Sequence, residues 1–231
     1  MNNNFSKRFV VIAVLFVVCL ITSNFFVPRL WHVFGDLHLT AAVLIFPISY
    51  ILNDCITEVY GFKKAQLIIW MGFGVSTFIA LMSALACALP LPTNGTTSTA
   101  ESFNKVFAQV PVTVIASLAA FLVGSTVNAL IVSKMKVATK GKGFGWRAIL
   151  STIGGETIDS AIFFPIAFGG VVASSGMTWG ELGIMALTQI LVKTGYEVVI
   201  LPVTTLIVNH LKKSEGIDTY DTNEKYNPFK I

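Results

Sequence analysis

Charged side chains are scarce in this sequence. Only 12% of the 231 residues are charged, whereas 54% are hydrophobic, and the mean hydropathy is +0.74. Soluble domains carry about twice this proportion of charge. The composition therefore excludes an ordinary soluble domain and indicates an integral membrane protein. The net charge of +4 comes from short basic clusters between apolar runs, a pattern typical of membrane topology that argues against a nucleic-acid partner.

Cysteine and histidine are also rare, with three of each. The odd number of cysteines, their apolar surroundings and the lack of a CxxC pair argue against disulfides and zinc sites. The histidines lie at or outside predicted helix ends, and no HExxH motif occurs. The glycine- and lysine-rich run at 140–145 lacks the GK[ST] ending of a phosphate loop. We therefore predict neither a cofactor nor an enzyme, and the energy for any transport must come from a gradient, a partner or metabolic trapping.

Six long apolar runs alternate with short polar segments. Because about 20 apolar residues in a helix span a bilayer, the runs predict an all-α protein with six transmembrane helices in a single membrane domain, residues 1–231. The segment from Thr93 to Lys105 is predicted to be a loop, and residues 212–231 a solvated cytoplasmic tail. The predicted helices are 9–27, 39–60, 65–89, 106–133, 146–173 and 179–211.

Basic residues fall on one side of this predicted topology. The side that holds both termini carries most of them, and the opposite loops carry only Arg29 and Lys105. Since lysine and arginine are enriched on the cytoplasmic side, we predict a multi-pass protein of the cell inner membrane with both termini in the cytoplasm. The residues on the predicted cytoplasmic side are Lys7, Arg8, Lys63, Lys64, Lys134, Lys136, Lys140, Lys142, Arg147, Lys212, Lys213, Lys225 and Lys230.

Three predicted helices each carry a pair of ionisable residues three or four positions apart. Inserting one charged side chain into the hydrocarbon of a bilayer costs about 3 kcal/mol of free energy on insertion scales. The presence of each pair within a predicted membrane helix therefore needs an explanation. The spacing places both members of each pair on one helix face. The pairs are Asp54 with Glu58, Glu156 with Asp159, and Lys193 with Glu197.

These residues could be mutual structural contacts, in which Lys193 neutralises one carboxylate and Asn53 helps to satisfy another. The carboxylates outnumber the one lysine, however, so the surplus must be protonated, paired with Arg147, or exposed to water and a ligand. We therefore predict a polar cavity where the three faces meet. The aromatic residues near these acids are either ordinary packing or stacking surfaces for a ligand: Tyr60, Phe163, Phe164 and Tyr196.

Three motifs in order resemble those of the queuosine precursor transporter family, also known as vitamin-uptake-like membrane proteins. The first is Asn53-Asp54-Cys55-Ile56-Thr57-Glu58-Val59-Tyr60-Gly61. The second is Arg147-x-x-x-Ser151-Thr152-x-x-Gly155-Glu156-x-x-Asp159-Ser160-x-x-Phe163, and the third is Lys193-x-x-Tyr196-Glu197 followed by Pro202. The resemblance implies a six-helix carrier that imports cyano- and aminomethyl-deazaguanine for tRNA modification. It also implies a fold similar to the substrate-binding components of energy-coupling-factor transporters.

The chemistry of a deazaguanine suits these residue types. Its ring N–H and exocyclic amine can both donate to one carboxylate, and its carbonyl needs a donor such as Lys193 or Asn53. We predict direct ligand contacts from Glu58, Glu156 and Asp159. The full set of candidate binding residues is Asn53, Asp54, Glu58, Tyr60, Glu156, Asp159, Phe163, Lys193, Tyr196 and Glu197. The expected partners are this small molecule and the lipid bilayer, with no nucleic acid and a homodimer left open.

Two other functions remain open from the sequence. One is a substrate-binding subunit for a vitamin or another flat polar metabolite, working with a separate energising complex. The other is an intramembrane enzyme that uses its carboxylates as acid and base or as metal ligands.

Overall fold

The computed structural model describes residues 6–34, 37–91, 97–108, 110–175, 178–222 and 226–227. These residues form seven α-helices and one antiparallel hairpin. The hairpin strands are β1 (Leu30–Phe34) and β2 (Leu37–Thr40), and a 3-10 helix, Ala41–Leu44, follows them. The α-helices are α1 (Lys7–Phe26), α2 (Phe46–Tyr60), α3 (Phe62–Cys87), α4 (Thr97–Phe107), α5 (Val110–Ala138), α6 (Phe144–Ser175) and α7 (Trp179–Glu215).

Four of these helices are long and apolar enough to cross a membrane. They are Lys7–Phe26, Phe62–Cys87, Val114–Ala138 and Trp179–Glu215. The side chains that cover their outer faces include many exposed valines, leucines and phenylalanines, as expected where lipid replaces water. The fold is therefore that of an all-α membrane protein, as the composition predicts.

The second predicted helix is shorter than the sequence indicated. Helical structure was expected from Leu39, but α2 begins at Phe46, after the hairpin and the 3-10 helix. Pro47 stands in the first turn of α2, where its missing N–H removes no helical hydrogen bond. With 15 residues, α2 is about 22 Å long, which is less than the bilayer's hydrocarbon thickness of roughly 30 Å.

Two other expectations from the sequence were wrong. The predicted loop from Thr93 to Lys105 contains most of α4, which begins at Thr97. Its polar composition concealed an apolar face, because Phe107 stacks on Phe103 at 4.2 Å and packs against Phe25 of α1 at 5.7 Å. The predicted solvated tail is helical as far as Glu215, and its next residues dock onto the helices as described below.

The short helix α2 lies at the centre of the bundle. Thirteen of its 15 residues are buried, and it packs against α1, α3, α5 and α7, with further contacts to α6. A helix buried on all sides must find partners for its polar groups inside the protein. The polar residues of α2 therefore determine where polar side chains of the surrounding helices must meet.

Helices α5 and α6 pack very closely where two glycines face each other. A Cβ atom on Gly124 would lie 2.8 Å from the Asp159 Cβ and 2.9 Å from the Gly155 carbonyl oxygen. Small residues allow two helix backbones to approach in this way. The Tyr50 hydroxyl of α2 would lie 2.9 Å from the same added Cβ atom on Gly124. This contact therefore fixes the position of Asp159 relative to the Tyr50 side chain.

We name the two ends of the bundle for what they contain. The hairpin end holds the β-hairpin, the end of α1 and the start of α7. The terminal end holds the start of α1 and the end of α7, where the exposed Arg8 pairs with the less accessible Glu215 at 3.7 Å.

Candidate functional site: a polar cleft and two layers of charge below it

A cleft opens among α1, α2, α6 and α7 in the half of the bundle toward the hairpin end. It encloses about 370 Å³ when the space at its mouth is included, but the side chains leave room for little more than a water molecule between them. The lining is mixed, with polar groups from β2 and from four helices, α1, α5, α6 and α7, beside aromatic rings. The lining residues are Ser23, Asn24, Val27, Thr40, Ala42, Phe46, Ser117, Asp159, Ser160, Phe163, Phe164, Gln189 and Lys193.

Opposite charges meet at the base of this cleft. Lys193 Nζ donates to Glu156 Oε2 at 2.6 Å, and both side chains are buried. The Asp159 carboxylate lines the same cleft and accepts no hydrogen bond from any residue that the structure describes. One carboxylate is therefore paired with the lysine, and a second is available to a ligand.

Further unused hydrogen-bonding groups surround Asp159. Gln189 Nε2 donates to Thr40 Oγ1 at 3.2 Å, while its Oε1 has no partner among the described residues. The Ser160 hydroxyl is also buried without a partner in the described part of the chain. Because buried polar groups are normally satisfied, these atoms favour a site that receives polar atoms from a ligand or from water.

Aromatic rings form the apolar part of the lining. Phe46 lies under the ammonium of Lys193, which is 4.0 Å from the ring centroid. Phe163 and Phe164 contact each other edge to face at 5.6 Å, and Phe164 stacks on Phe168 at 5.7 Å. A flat ring entering the cleft would find an aromatic surface beside both signs of charge.

The charged residues at the base of the cleft form a first layer. A second layer of ionisable residues lies deeper in the bundle, where α2 meets α7. The carboxyl groups of Asp54 and Glu197 are within hydrogen-bonding reach of each other. Asn128 of α5 donates to Asp54 Oδ1 at 2.6 Å. Both carboxyl groups are almost completely inaccessible to solvent.

A third layer lies at the terminal end and is rich in cations. Arg147 Nη2 and Lys212 Nζ donate to Glu58 Oε1 at 2.8 Å and 2.6 Å, and Lys136 Nζ lies 3.8 Å from the same oxygen. Arg147 also donates to the Lys142 carbonyl oxygen at 2.7 Å. The Glu58 carboxylate thus accepts from Arg147 and Lys212, while Lys136 donates to the Glu58 backbone carbonyl oxygen, so three basic residues from three helices meet at Glu58.

The chain after α7 folds back onto this third layer. Lys136 and Lys212 bind Asp218 Oδ1 at 2.6 Å and 3.0 Å. The Thr219 N–H donates to the Val59 carbonyl oxygen at 3.2 Å, and the Phe62 N–H donates to Asp221 Oδ2 at 3.0 Å. The segment 217–222 is therefore docked across the ends of α2, α3 and α5.

The charge of Asp218 reflects this docking. Partial burial acts to raise the pKa of its carboxyl, but the hydrogen bonds and charges of Lys136 and Lys212 outweigh that effect and hold the pKa below its ordinary value. The ionised form of Asp218 is therefore the form that the docked segment favours.

Comparison with known protein families identifies the family to which this chain belongs. The model of the family described as "Putative vitamin uptake transporter" matches residues 40–207. The chain belongs to this family. No curated protein and no solved structure matches it. The match covers α2 to α6 and most of α7 of this family member, whereas the docked segment 217–222 lies beyond the matched range.

The ten residues predicted from the sequence are distributed over all three layers of this uptake-family protein. Asp159, Phe163 and Lys193 line the cleft, and Glu156 adjoins it through its pair with Lys193. Asp54 and Glu197 form the middle layer. The remaining residues lie outside the cleft lining: Asn53 donates to the Ser125 carbonyl oxygen at 3.4 Å, Glu58 lies in the third layer, and Tyr60 and Tyr196 pack in the apolar core.

Several lining residues were missed by the sequence reasoning although a signal for them existed. Gln189 precedes Lys193 by four positions, so helical spacing places it on the same face. Ser160, which follows Glu156 by the same interval, was part of the second motif but was not among the candidate binding residues. Phe46 precedes Asp54 by two such intervals and could have been found in the same way, whereas Thr40 could not, because it lies in β2 before the helix begins. By their positions in the sequence, Lys136 was assigned to a loop and Lys212 to the solvated tail.

Proposed function

We propose that this protein is a membrane transporter that imports a flat polar metabolite of the deazaguanine class, the queuosine precursors, through the cleft at the hairpin end. Membership of the uptake family supports transport. The observation that carries the choice of ligand is the combination of an unused Asp159 carboxylate, the Lys193 ammonium and the aromatic rings of Phe46 and Phe163 at one cleft.

Each part of a deazaguanine has a partner in this arrangement. The ring N–H and the exocyclic amine would donate to the two oxygens of Asp159, in the bidentate geometry that makes such pairs strong. The ring carbonyl would accept from Lys193 or Gln189. The flat ring would lie against Phe46 or Phe163. The sequence pattern predicts Glu58 as a ligand contact, but its three basic partners favour a structural role for it instead.

The cleft must widen before such a ligand can enter, because the side chains now leave little free space between them. We place the hairpin end outside the cell, in keeping with the excess of lysine and arginine near the terminal end. The substrate would then reach Asp159 from outside and would have to pass the two lower layers to reach the cytoplasm.

Uptake by cells tests this proposal. A strain that cannot make queuosine is supplied with a low concentration of precursor, and modified tRNA is measured after the gene is expressed. The wild-type protein and the exposed control variant Glu101→Gln should restore modification, whereas Asp159→Asn should not, because its amide offers only one acceptor. Full restoration by Asp159→Asn at equal membrane abundance would contradict the assignment of Asp159.

The description of the family also favours a second candidate, which is uptake of a vitamin. Competition distinguishes the two: unlabelled precursors should abolish uptake of labelled precursor, while a panel of water-soluble vitamins should leave it unchanged. The reverse result would replace the deazaguanine by the competing vitamin as the substrate.

A further inference from the structure

The middle layer contains two buried acidic groups that interact with each other. Asp54 and Glu197 are 0% and 2% exposed, and their carboxyl groups lie within hydrogen-bonding reach of each other. Asp54 Oδ2 and Glu197 Oε2 have no donor among the described residues. Two carboxylates in contact repel each other strongly away from water, and a proton held between them removes the repulsion.

The nearby cations do not supply this neutralisation. Lys193 is bound to Glu156 at 2.6 Å, and Arg147 is bound to Glu58 at 2.8 Å, one layer to either side. The groups that face the pair are Tyr50, Cys55 and Glu58 from α2, Thr152 and Glu156 from α6, and the neutral Asn128 from α5. Because Glu58 and Glu156 already pair with these cations, neutralisation of the Asp54–Glu197 pair requires a proton.

We propose that the Asp54–Glu197 pair is a proton-binding site that couples substrate uptake to inward movement of a proton. This inference rests on the proposed transport function. The proton enters from solution at the hairpin end, joins one carboxylate to make a carboxylic acid, and leaves toward the terminal end when the substrate has been released. No oxidant or second reactant is needed, since a single carboxylate gains and then loses one proton.

The position of the pair explains how a substrate would affect the proton. Glu156 lies between the cleft and the pair and is neutralised by Lys193. A substrate carbonyl that draws Lys193 away leaves the charge of Glu156 less compensated. The Asp54–Glu197 pair then holds its proton more tightly, and by reciprocity the protonated protein binds the substrate more tightly.

The first test needs no substrate. Infrared difference spectra of the purified protein across a pH titration report the carbonyl stretch of a buried carboxylic acid. The wild-type protein and Glu101→Gln should show such a band, and it should disappear in both Asp54→Asn and Glu197→Gln. These amides keep a donor between the two groups, so the fold is retained, as a thermal unfolding curve can verify. A wild-type spectrum without a band that these variants remove would overturn the proposal.

The second test uses proteoliposomes, labelled aminomethyl- or cyano-deazaguanine, and a pH-sensitive dye inside the vesicles. For one proton per substrate, an acidic exterior should raise accumulation by roughly tenfold per pH unit, with matching acidification inside. In Glu197→Gln, any uptake that remains should not respond to the gradient. Wild-type uptake without a gradient response would overturn coupling but leave the proposed function intact. If no precursor is taken up or exchanged, the proposed function fails, and the infrared result alone decides whether the pair binds a proton.

Discussion

Arg147 of α6 donates to Glu58 of α2 across 2.8 Å, and neither side chain is accessible to solvent. This contact joins the central helix to the first turns of α6, about as far from the cleft as α2 extends. Because Lys212 of α7 binds the same Glu58 oxygen, one carboxylate holds three helices together at the terminal end.

The guanidinium of Arg147 makes three contacts that a lysine cannot reproduce. Besides Glu58, it donates to Thr139 Oγ1 at 2.9 Å and to the Lys142 carbonyl oxygen at 2.7 Å. We expect Arg147→Lys to lower the free energy of unfolding by about 2 kcal/mol, the scale of a lost hydrogen bond to a charged group. Denaturant unfolding in detergent measures this effect.

Arg8→Lys is the matched control for that experiment. Arg8 is half exposed and pairs with Glu215 at 3.7 Å, and such surface pairs contribute little. Equal stability losses in Arg147→Lys and Arg8→Lys would contradict the structural importance assigned to Arg147.

The pair of Lys193 and Glu156 offers a way to separate stability from transport. Lys193→Met leaves Glu156 buried without a cation, which should cost roughly 3 to 5 kcal/mol of stability. The double variant Lys193→Met/Glu156→Gln should recover most of that loss, because no uncompensated charge remains. Uptake should be absent in both variants, because neither retains the ammonium at the cleft. Restored uptake in the double variant would show that Lys193 serves only to neutralise Glu156.

Much of the fold follows from the sequence because the bilayer restricts what apolar runs can form. The boundaries of α1, α3 and α7 differ from the predicted ones by only a few residues, since long uncharged stretches must be helical where lipid surrounds them. The hairpin was missed because its two strands are short, and the end of the second strand was included in the apolar run predicted as helix 39–60. The helix α4 was missed because its composition is that of a loop, and only its packing on Phe25 favours a helix.

Helical spacing predicted which polar residues share a face but could not predict what each face meets. Glu58 and Asp54 are one turn apart on α2, yet one binds Arg147 and the other contacts Glu197. That difference arises from the rotation and crossing of α6 and α7 against α2, which no local pattern encodes. Lys136 illustrates the same limit, since a lysine near a helix end was expected to face water and is in fact buried beside Glu58.

The close packing of α5 on α6 predicts a strong effect from a single methyl group. In Gly124→Ala, the new Cβ would meet the Asp159 Cβ at 2.8 Å and the Gly155 carbonyl oxygen at 2.9 Å, and the backbone atom cannot move aside. We expect a loss of about 1 to 3 kcal/mol in stability, with reduced uptake because Asp159 is displaced. Gly74→Ala is the control, since its Cβ would meet no atom within 4 Å and the alanine should favour the helix. Stability and uptake unchanged in Gly124→Ala would contradict this packing.

The docked segment 217–222 should detach in acid. The pKa of Asp218 lies below its ordinary value in the docked state, so its contribution to docking is complete above the ordinary carboxyl pKa and is lost as the pH falls through the lowered value. Hydrogen exchange at the Thr219 amide, which donates to Val59, reports the detachment. Asp218→Asn should make this exchange fast already at neutral pH, and Lys212→Gln should also accelerate it.

Lys213 provides the control for this last experiment. It neighbours Lys212 in sequence but is exposed, whereas Lys212 binds both Glu58 and Asp218. Lys213→Gln should therefore leave the exchange of the Thr219 amide at its wild-type rate. If Lys212→Gln and Lys213→Gln accelerate exchange equally, the docking depends on general surface charge. In that case the ion pairs with Asp218 are not what holds the segment against α2 and α5.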